Sequence, residues 1–155
     1  MDWFVKGFLK ASLAWLGLGV SLGLAMACHP VWTVYRAVHL HMNLLGFVAM
    51  MIFGVAYHVV PRFTGHPLYS RRFAGLHWWS ANTGLALFSV GLAAQSNASR
   101  FAPAFLAAGG SLSSIGAFLF IVNIWRTIDG PRNIAAPRHT EAQPNRKLRL
   151  HDTAS

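Results

Sequence analysis

Cysteine and charge are both scarce in this sequence. Cys28 is the only cysteine, which excludes an intramolecular disulfide and a metal cluster built on cysteine thiolates. Charged residues make up 11% of the 155 residues and hydrophobic residues 54%, a balance typical of membrane proteins. The net charge of +9 lies beside and after the apolar stretches, where it can face anionic lipid headgroups. We therefore expect a lipid bilayer as partner and no nucleic acid.

The few charges separate four long stretches that contain no Lys, Arg, Asp or Glu. These stretches are 11–35, 37–61, 73–99 and 101–125. Each is longer than the roughly 20 residues with which a helix crosses a bilayer core. The sequence thus predicts an all-α integral membrane protein, a bundle of four transmembrane helices in one domain over residues 1–128. The predicted spans are about 11–30, 37–60, 74–96 and 102–125. Residues 129–155 are predicted to be a basic, flexible cytoplasmic tail, because Asp129-Gly130-Pro131 breaks the last helix.

The basic residues also predict an orientation. With both termini in the cytoplasm, eleven of the thirteen Lys and Arg lie inside and only Arg36 and Arg100 lie outside, as the positive-inside rule requires. The expected location is the bacterial inner membrane. Ala25-Met26-Ala27 resembles a signal-peptide cleavage site, but the apolar run is longer than a typical signal sequence and its removal would reverse the charge balance. Retention of the first span is therefore favoured.

Two histidines lie one to two turns inside the second stretch. An ionisable residue at that depth is a functional-site hypothesis by default, and neutral imidazole is a common metal ligand. His39 and His41 are two residues apart, so on a regular helix they point about 200° apart around the axis and cannot bind one metal together. The pair suits a helix between two planar cofactors, or one ligand with one hydrogen-bonding partner.

Three motifs make the chain similar to the haem-copper oxidase superfamily, in particular to the late part of the catalytic subunit of cytochrome oxidases. They are His39-Leu40-His41-Met42-Asn43-Leu44-Leu45, then Gly54 to Gly65 with Pro61-Arg62-Phe63-Thr64-Gly65 at its end, and Leu76-His77-Trp78-Trp79. The first also resembles the haem-ligand helix of nitric oxide reductases. Both comparisons imply that His41 is a low-spin haem ligand. The oxidase comparison alone makes His39 the match to the high-spin haem ligand.

The resemblance covers roughly Arg36 to Leu92 and has clear departures. Catalytic subunits of the family have many more spans, and their copper site needs an adjacent pair of histidines. No His-His dipeptide occurs here, so a copper site within the chain is not expected. The resemblance implies haem b as the cofactor. His29 is the remaining candidate for a sixth ligand, although its place before Pro30 favours a loop or cap role. Arg36 and Arg100 could anchor the chain at the interface or pair with haem propionates.

The resemblance leaves three function classes open. The first is a b-type haem protein in electron transfer or in nitric oxide or oxygen chemistry, with a redox protein or quinol as partner. The second is a haemless accessory or assembly subunit, and the third is an oxidoreductase whose metals are gathered across chains. Because one ligand helix lacks an internal partner, we expect a homo-oligomer, a dimer or trimer, with haem at or beside its interface. His58, His66 and His77 receive no ligand role.

Overall fold

The structure, a computed structural model, describes residues 1–130, and the predicted tail lies almost entirely outside them. The described residues form helices joined by short loops. In chain order these are α1 (Trp3–Cys28), a 3₁₀-helix (Pro30–Tyr35), α2 (Arg36–His41), a π-helix (Met42–Ala49), α3 (Met50–Thr64), α4 (Arg71–Ser96) and α5 (Ala102–Ile128). The segments from Pro30 to Thr64 follow one another without a break, and we call them the second rod.

Together with the second rod, the helices α1, α4 and α5 form four rods that run in alternating directions. At one end, which we call the basal end, the ring of Phe4 lies 5.6 Å from that of Tyr57, and Tyr57 contacts His77 at the start of α4. At the opposite, distal end the Ser96 hydroxyl donates to the Val34 carbonyl over 2.9 Å. The start of α1 and the end of α5 therefore lie at the same, basal end. This places both ends of the described residues at one end of the bundle, and the cytoplasmic location of the termini stays a prediction.

Three of the rods are long and apolar enough to cross a membrane, namely Trp3–Cys28, Pro30–Thr64 and Ala102–Ile128. The chain is an integral membrane protein of all-helical fold. α4 has the same length as α1, 26 residues, but carries more polar side chains. Its position explains this composition, because Ser80 and Ser89 are buried in the protein rather than exposed to lipid. Because α4 is not among the rods that are apolar enough to cross a membrane, the predicted count of four spans is not confirmed.

The helices extend beyond the predicted spans at several ends. α1 begins at Trp3, so exposed Lys6 and Lys10 lie within it, since long basic side chains can reach polar surroundings from an apolar helix. α3 continues through Pro61 to Thr64, although a proline removes one backbone hydrogen bond and often ends or kinks a helix. It stops at Gly65, whose φ of 72° is the left-handed conformation that favours glycine. The predicted break after the last helix is confirmed, since α5 ends at Ile128.

α4 and α5 pack more closely than a side chain would allow. A Cβ atom added to Gly109 would lie 2.3 Å from the backbone nitrogen of Phe88. One added to Gly84 would lie 2.7 Å from the backbone nitrogen of Ser113. Helices in lipid associate largely through such close backbone approach, so these two glycines fix where α4 crosses α5.

A side-chain clamp holds the basal loop onto α5. Asn123 is fully buried; its amide accepts from the backbone N–H of Ser70 and donates to the carbonyl of Ser70, each over 2.9 Å. The Thr127 hydroxyl accepts from the N–H of Tyr69, and His66 Nδ1 lies 3.0 Å from the Thr127 carbonyl oxygen. In the loop between the second rod and α4, the backbone groups of Tyr69 and Ser70 thereby find hydrogen-bond partners within the protein.

Candidate functional site

The two candidate ligand histidines lie where the second rod changes its winding. His41 is the last residue of α2, and the next eight residues form wider π-helical turns. This change of winding was not predicted, because the prediction assumed a regular α-helix. Short π-helical segments inside α-helices occur frequently at functional sites.

His41 faces α4 and has a fixed ring orientation. Its Nδ1 lies 2.8 Å from the carbonyl oxygen of Ala37 one turn earlier, and its ring centroid lies 5.1 Å from that of Phe88 on α4. Because a carbonyl oxygen only accepts, Nδ1 carries the proton and the lone pair lies on Nε2. Within residues 1–130, no donor or acceptor reaches Nε2, and this atom is not among the buried polar atoms that lack a partner. Metal-bound histidines are held in the same way, with one nitrogen donating to a carbonyl and the other bound to the metal.

His39 faces α1 instead. Its Nδ1 lies 2.8 Å from the carbonyl oxygen of Gly19, and a Cβ atom on Gly23 would come within 2.8 Å of its Cε1 atom. The Asn43 amide donates to the His39 carbonyl over 2.8 Å. His39 is therefore held in place by contacts between α1 and the second rod. Because its Nδ1 donates to the Gly19 carbonyl, its lone pair lies on Nε2, as in His41.

The prediction that His39 and His41 point to different sides of the helix is confirmed, since their rings contact α1 and α4 respectively. His29 directly follows α1 as its C-cap residue, where its N–H donates to the Ala25 carbonyl, and it is exposed; its role as a haem ligand stays a prediction. In the described part of the chain, no three His, Cys, Asp or Glu side chains gather as a metal site.

Arg36 and Arg100 are both exposed near the distal end. The guanidinium of Arg100 lies 4.9 Å from the ring centroid of Phe101. Over residues 1–130 the only acidic residues are Asp2 and Asp129, both at the basal end, and Asp2 pairs with Arg71. Neither distal arginine has a carboxylate of the described chain beside it.

A macrocycle beside His41 would need space outside the four rods. Leu45, one turn after His41, lines a cavity of about 90 Å³ between the second rod, α4 and α5. Pockets for sizeable organic ligands measure roughly 300–1,000 Å³. The donor set of His41 thus fits a haem axial ligand, but this cavity does not hold the porphyrin. A haem on His41 would lie against an outer face of the bundle.

One polar pair near this cavity was not predicted from the sequence. The Tyr57 hydroxyl lies 3.0 Å from Nδ1 of His77, and both side chains are buried. The rings of Phe8, Phe53 and Phe120 surround His77, with centroids 4.6–5.4 Å from its own. Twenty residues separate Tyr57 from His77, and only the packing of α4 on the second rod brings them together.

Comparison with known proteins agrees with the family resemblance of the chain. The chain is 34% identical over 87 residues to the Cbb3-type cytochrome c oxidase subunit CcoN1 of Stutzerimonas stutzeri, covering 52% of the chain and 18% of that protein. It is 33% identical over 141 residues to a putative cytochrome c oxidase subunit 1-beta of Streptomyces coelicolor, covering 78% and 24% respectively. A bacteroid cytochrome c oxidase subunit 1 homolog of Bradyrhizobium diazoefficiens is 27% identical over 154 residues, covering 80% and 28%. No protein-family model matches.

The described fold is that of a helical membrane protein, and over part of their length the chain is similar to the catalytic subunits of haem-copper oxidases. The chain spans only 18% to 28% of the length of these relatives.

Proposed function

We propose that this chain is a membrane haem protein in which His41 binds the iron of a b-type haem. The observation that carries the proposal is the hydrogen bond from His41 Nδ1 to the Ala37 carbonyl. That bond fixes the tautomer and turns the Nε2 lone pair away from its own helix, as an axial ligand requires. The similarity to oxidase subunits supports haem as the group that such a nitrogen would bind.

The protein would hold and surround the haem, and the bound haem would supply the redox change or bind a gas molecule. His41 would donate the axial nitrogen, and Phe88 would fix the tilt of its ring through their contact. Arg36 and Arg100 would pair with the propionates, since no carboxylate of residues 1–130 competes for them at the distal end. His39 would connect the second rod to α1 through Gly19, with ligation of a second haem as its alternative role.

The proposed activity is electron transfer or nitric oxide or oxygen chemistry, with a redox protein or quinol as partner and without a copper site within the chain. We further propose that α4 completes four spans in the bacterial inner membrane, with both termini in the cytoplasm. Support for a fourth span comes from the antiparallel packing of α4 on its neighbours and from the length it shares with α1.

The absorption spectrum of the purified protein tests the proposal. We expect a Soret band, α and β bands on reduction, and a pyridine haemochrome spectrum of haem b. A carbon monoxide difference spectrum then separates the two activities, because two axial histidines favour electron transfer and an open position permits a gas ligand. A protein without haem, expressed where haem is abundant, would contradict the proposal and favour an accessory subunit of a larger oxidase complex.

A further inference from the structure

The cavity lined by Leu45 and His77 contains one polar atom without a hydrogen-bond partner in the described part of the protein. His77 is fully buried and lines this cavity. Its Nδ1 is engaged by the Tyr57 hydroxyl, while no donor or acceptor within residues 1–130 reaches its Nε2. A buried polar atom that lacks a hydrogen bond costs about 1–3 kcal/mol, so a partner for Nε2 would stabilise the folded state.

The walls of the cavity determine what that partner can be. They are formed mainly by apolar side chains of three rods: Ala49 and Phe53 on the second rod, Ala81 and Leu85 on α4, and Ala117 on α5. Besides His77, Ser113 offers the only polar side chain in the wall. No residue of the wall is charged, so a charged ligand would lose its hydration without compensation.

The size of the cavity limits the ligand further. Its volume is about 90 Å³, smaller than the apolar cavity of about 150 Å³ that binds benzene in an engineered protein. That space holds a molecule of two or three heavy atoms and is too small for a quinone ring or a haem. Two polar groups are at the lower limit of the two to four partners that a buried water needs.

We propose that this cavity is a binding site for a small neutral molecule of two or three heavy atoms, held by apolar contact and one hydrogen bond to His77 Nε2. Tyr57 acts as a positioning residue, because its hydroxyl holds the imidazole by Nδ1 and leaves Nε2 for the ligand. Leu45, Ala49 and Phe53 follow His41 at intervals of four residues along the second rod. The ligand would therefore occupy the face of the rod that also carries His41, on the basal side of that residue.

The site can be tested on the full chain in lipid nanodiscs, with ¹⁵N-labelled histidine and two probes. Ethanol has three heavy atoms and can form the hydrogen bond, whereas xenon fills apolar space without one. We expect ethanol to shift the Nε2 resonance of His77 saturably while that of His58 stays unchanged. We expect xenon to show a saturable bound signal in ¹²⁹Xe exchange spectra.

Two variants on α5 separate the cavity from the surrounding lipid. Ala117→Leu fills the cavity from its exposed edge and should abolish both the ethanol shift and the bound xenon signal. Ala107→Leu adds the same side chain at an exposed position of α5 outside the cavity wall and should leave both unchanged. Tyr57→Phe should retain xenon and weaken the ethanol shift, because the imidazole is no longer held by Nδ1. Equal xenon signals in Ala117→Leu and the unmodified protein, or an unchanged Nε2 resonance with ethanol, would overturn the proposal.

Discussion

The ring of His41 lies 5.1 Å from the ring of Phe88, and the backbone of Phe88 lies directly against Gly109. The candidate ligand on the second rod is therefore positioned through α4 by a glycine on α5. Phe88 packs on His41 with its side chain and on Gly109 with its main chain. A change at Gly109 should consequently alter both the stability of the bundle and the position of the His41 ring.

Gly109→Ala is expected to destabilise the protein, because the new Cβ atom would lie 2.3 Å from a backbone nitrogen that cannot rotate away. Overpacking of this kind costs about 1–3 kcal/mol. Gly110→Ala is the matched control, since its Cβ atom would meet the Phe88 ring at 3.6 Å, an ordinary contact. Thermal unfolding in detergent should show a lower midpoint for Gly109→Ala only. Equal midpoints for the two variants would show that α4 and α5 do not cross at Gly109.

Much of the fold could be predicted from the spacing of charges. Charge-free stretches of helix length indicated four helical rods, and three of them meet the length and apolarity of a membrane span. The helix ends were predicted less well, because charge marks where a side chain reaches water rather than where hydrogen bonding stops. Lys6, Lys10 and Pro61 all lie inside helices.

The candidate site could be predicted only as far as helical geometry applies. Two residues of separation sufficed to place His39 and His41 on different sides of the rod. The π-helical turns from Met42 and the pairing of Tyr57 with His77 depend on packing between rods that are distant in sequence. For Tyr57 and His77 the motifs supplied residue identities but no indication that the two side chains meet.

The clamp of Asn123 on the basal loop should contribute measurably to stability. Asn123→Ala removes both hydrogen bonds to the backbone of Ser70, and backbone groups left without partners cost about 1–3 kcal/mol. Thr83→Ala is the control, because the exposed Thr83 hydroxyl bonds only within its own helix. We expect a lower unfolding midpoint in detergent for Asn123→Ala and little change for Thr83→Ala. The reverse order would contradict the clamp.

Four spans with cytoplasmic termini predict a definite pattern in reporter fusions. Fusions after Gly65 and after Ile128 should report the cytoplasm, and a fusion after Asn97 should report the outer side. The physical reason is the excess of Lys and Arg in the segments assigned to the inside. If α4 does not cross the bilayer, the reporters after Gly65 and Asn97 will lie on the same side, which would contradict the four-span topology.

The number of chains in the assembly can be measured from the mass of the detergent-solubilised particle. The cavity that starts one turn after His41, at Leu45, is too small for a porphyrin. A haem bound to His41 should therefore lie on an outer face of the bundle, and we expect another copy of the chain to cover that face. The mass of the detergent-solubilised particle should be that of a dimer or trimer, with haem in a fixed ratio to chains. A monodisperse monomer with a full six-coordinate haem would exclude the interface and favour His29 as the second ligand.

The central claim, that His41 binds haem iron, is tested most directly by the haem content of purified single-histidine variants. His41→Ala should lose most or all of the Soret absorbance per chain while inserting into the membrane in normal amounts. His58→Ala is the matched control, since it removes a half-buried imidazole from the same rod that bonds only with Arg62, and should retain full absorbance. His39→Ala, on the face toward α1, should differ from His41→Ala. A His41→Ala protein with an unchanged Soret band and haem-to-chain ratio would contradict the account.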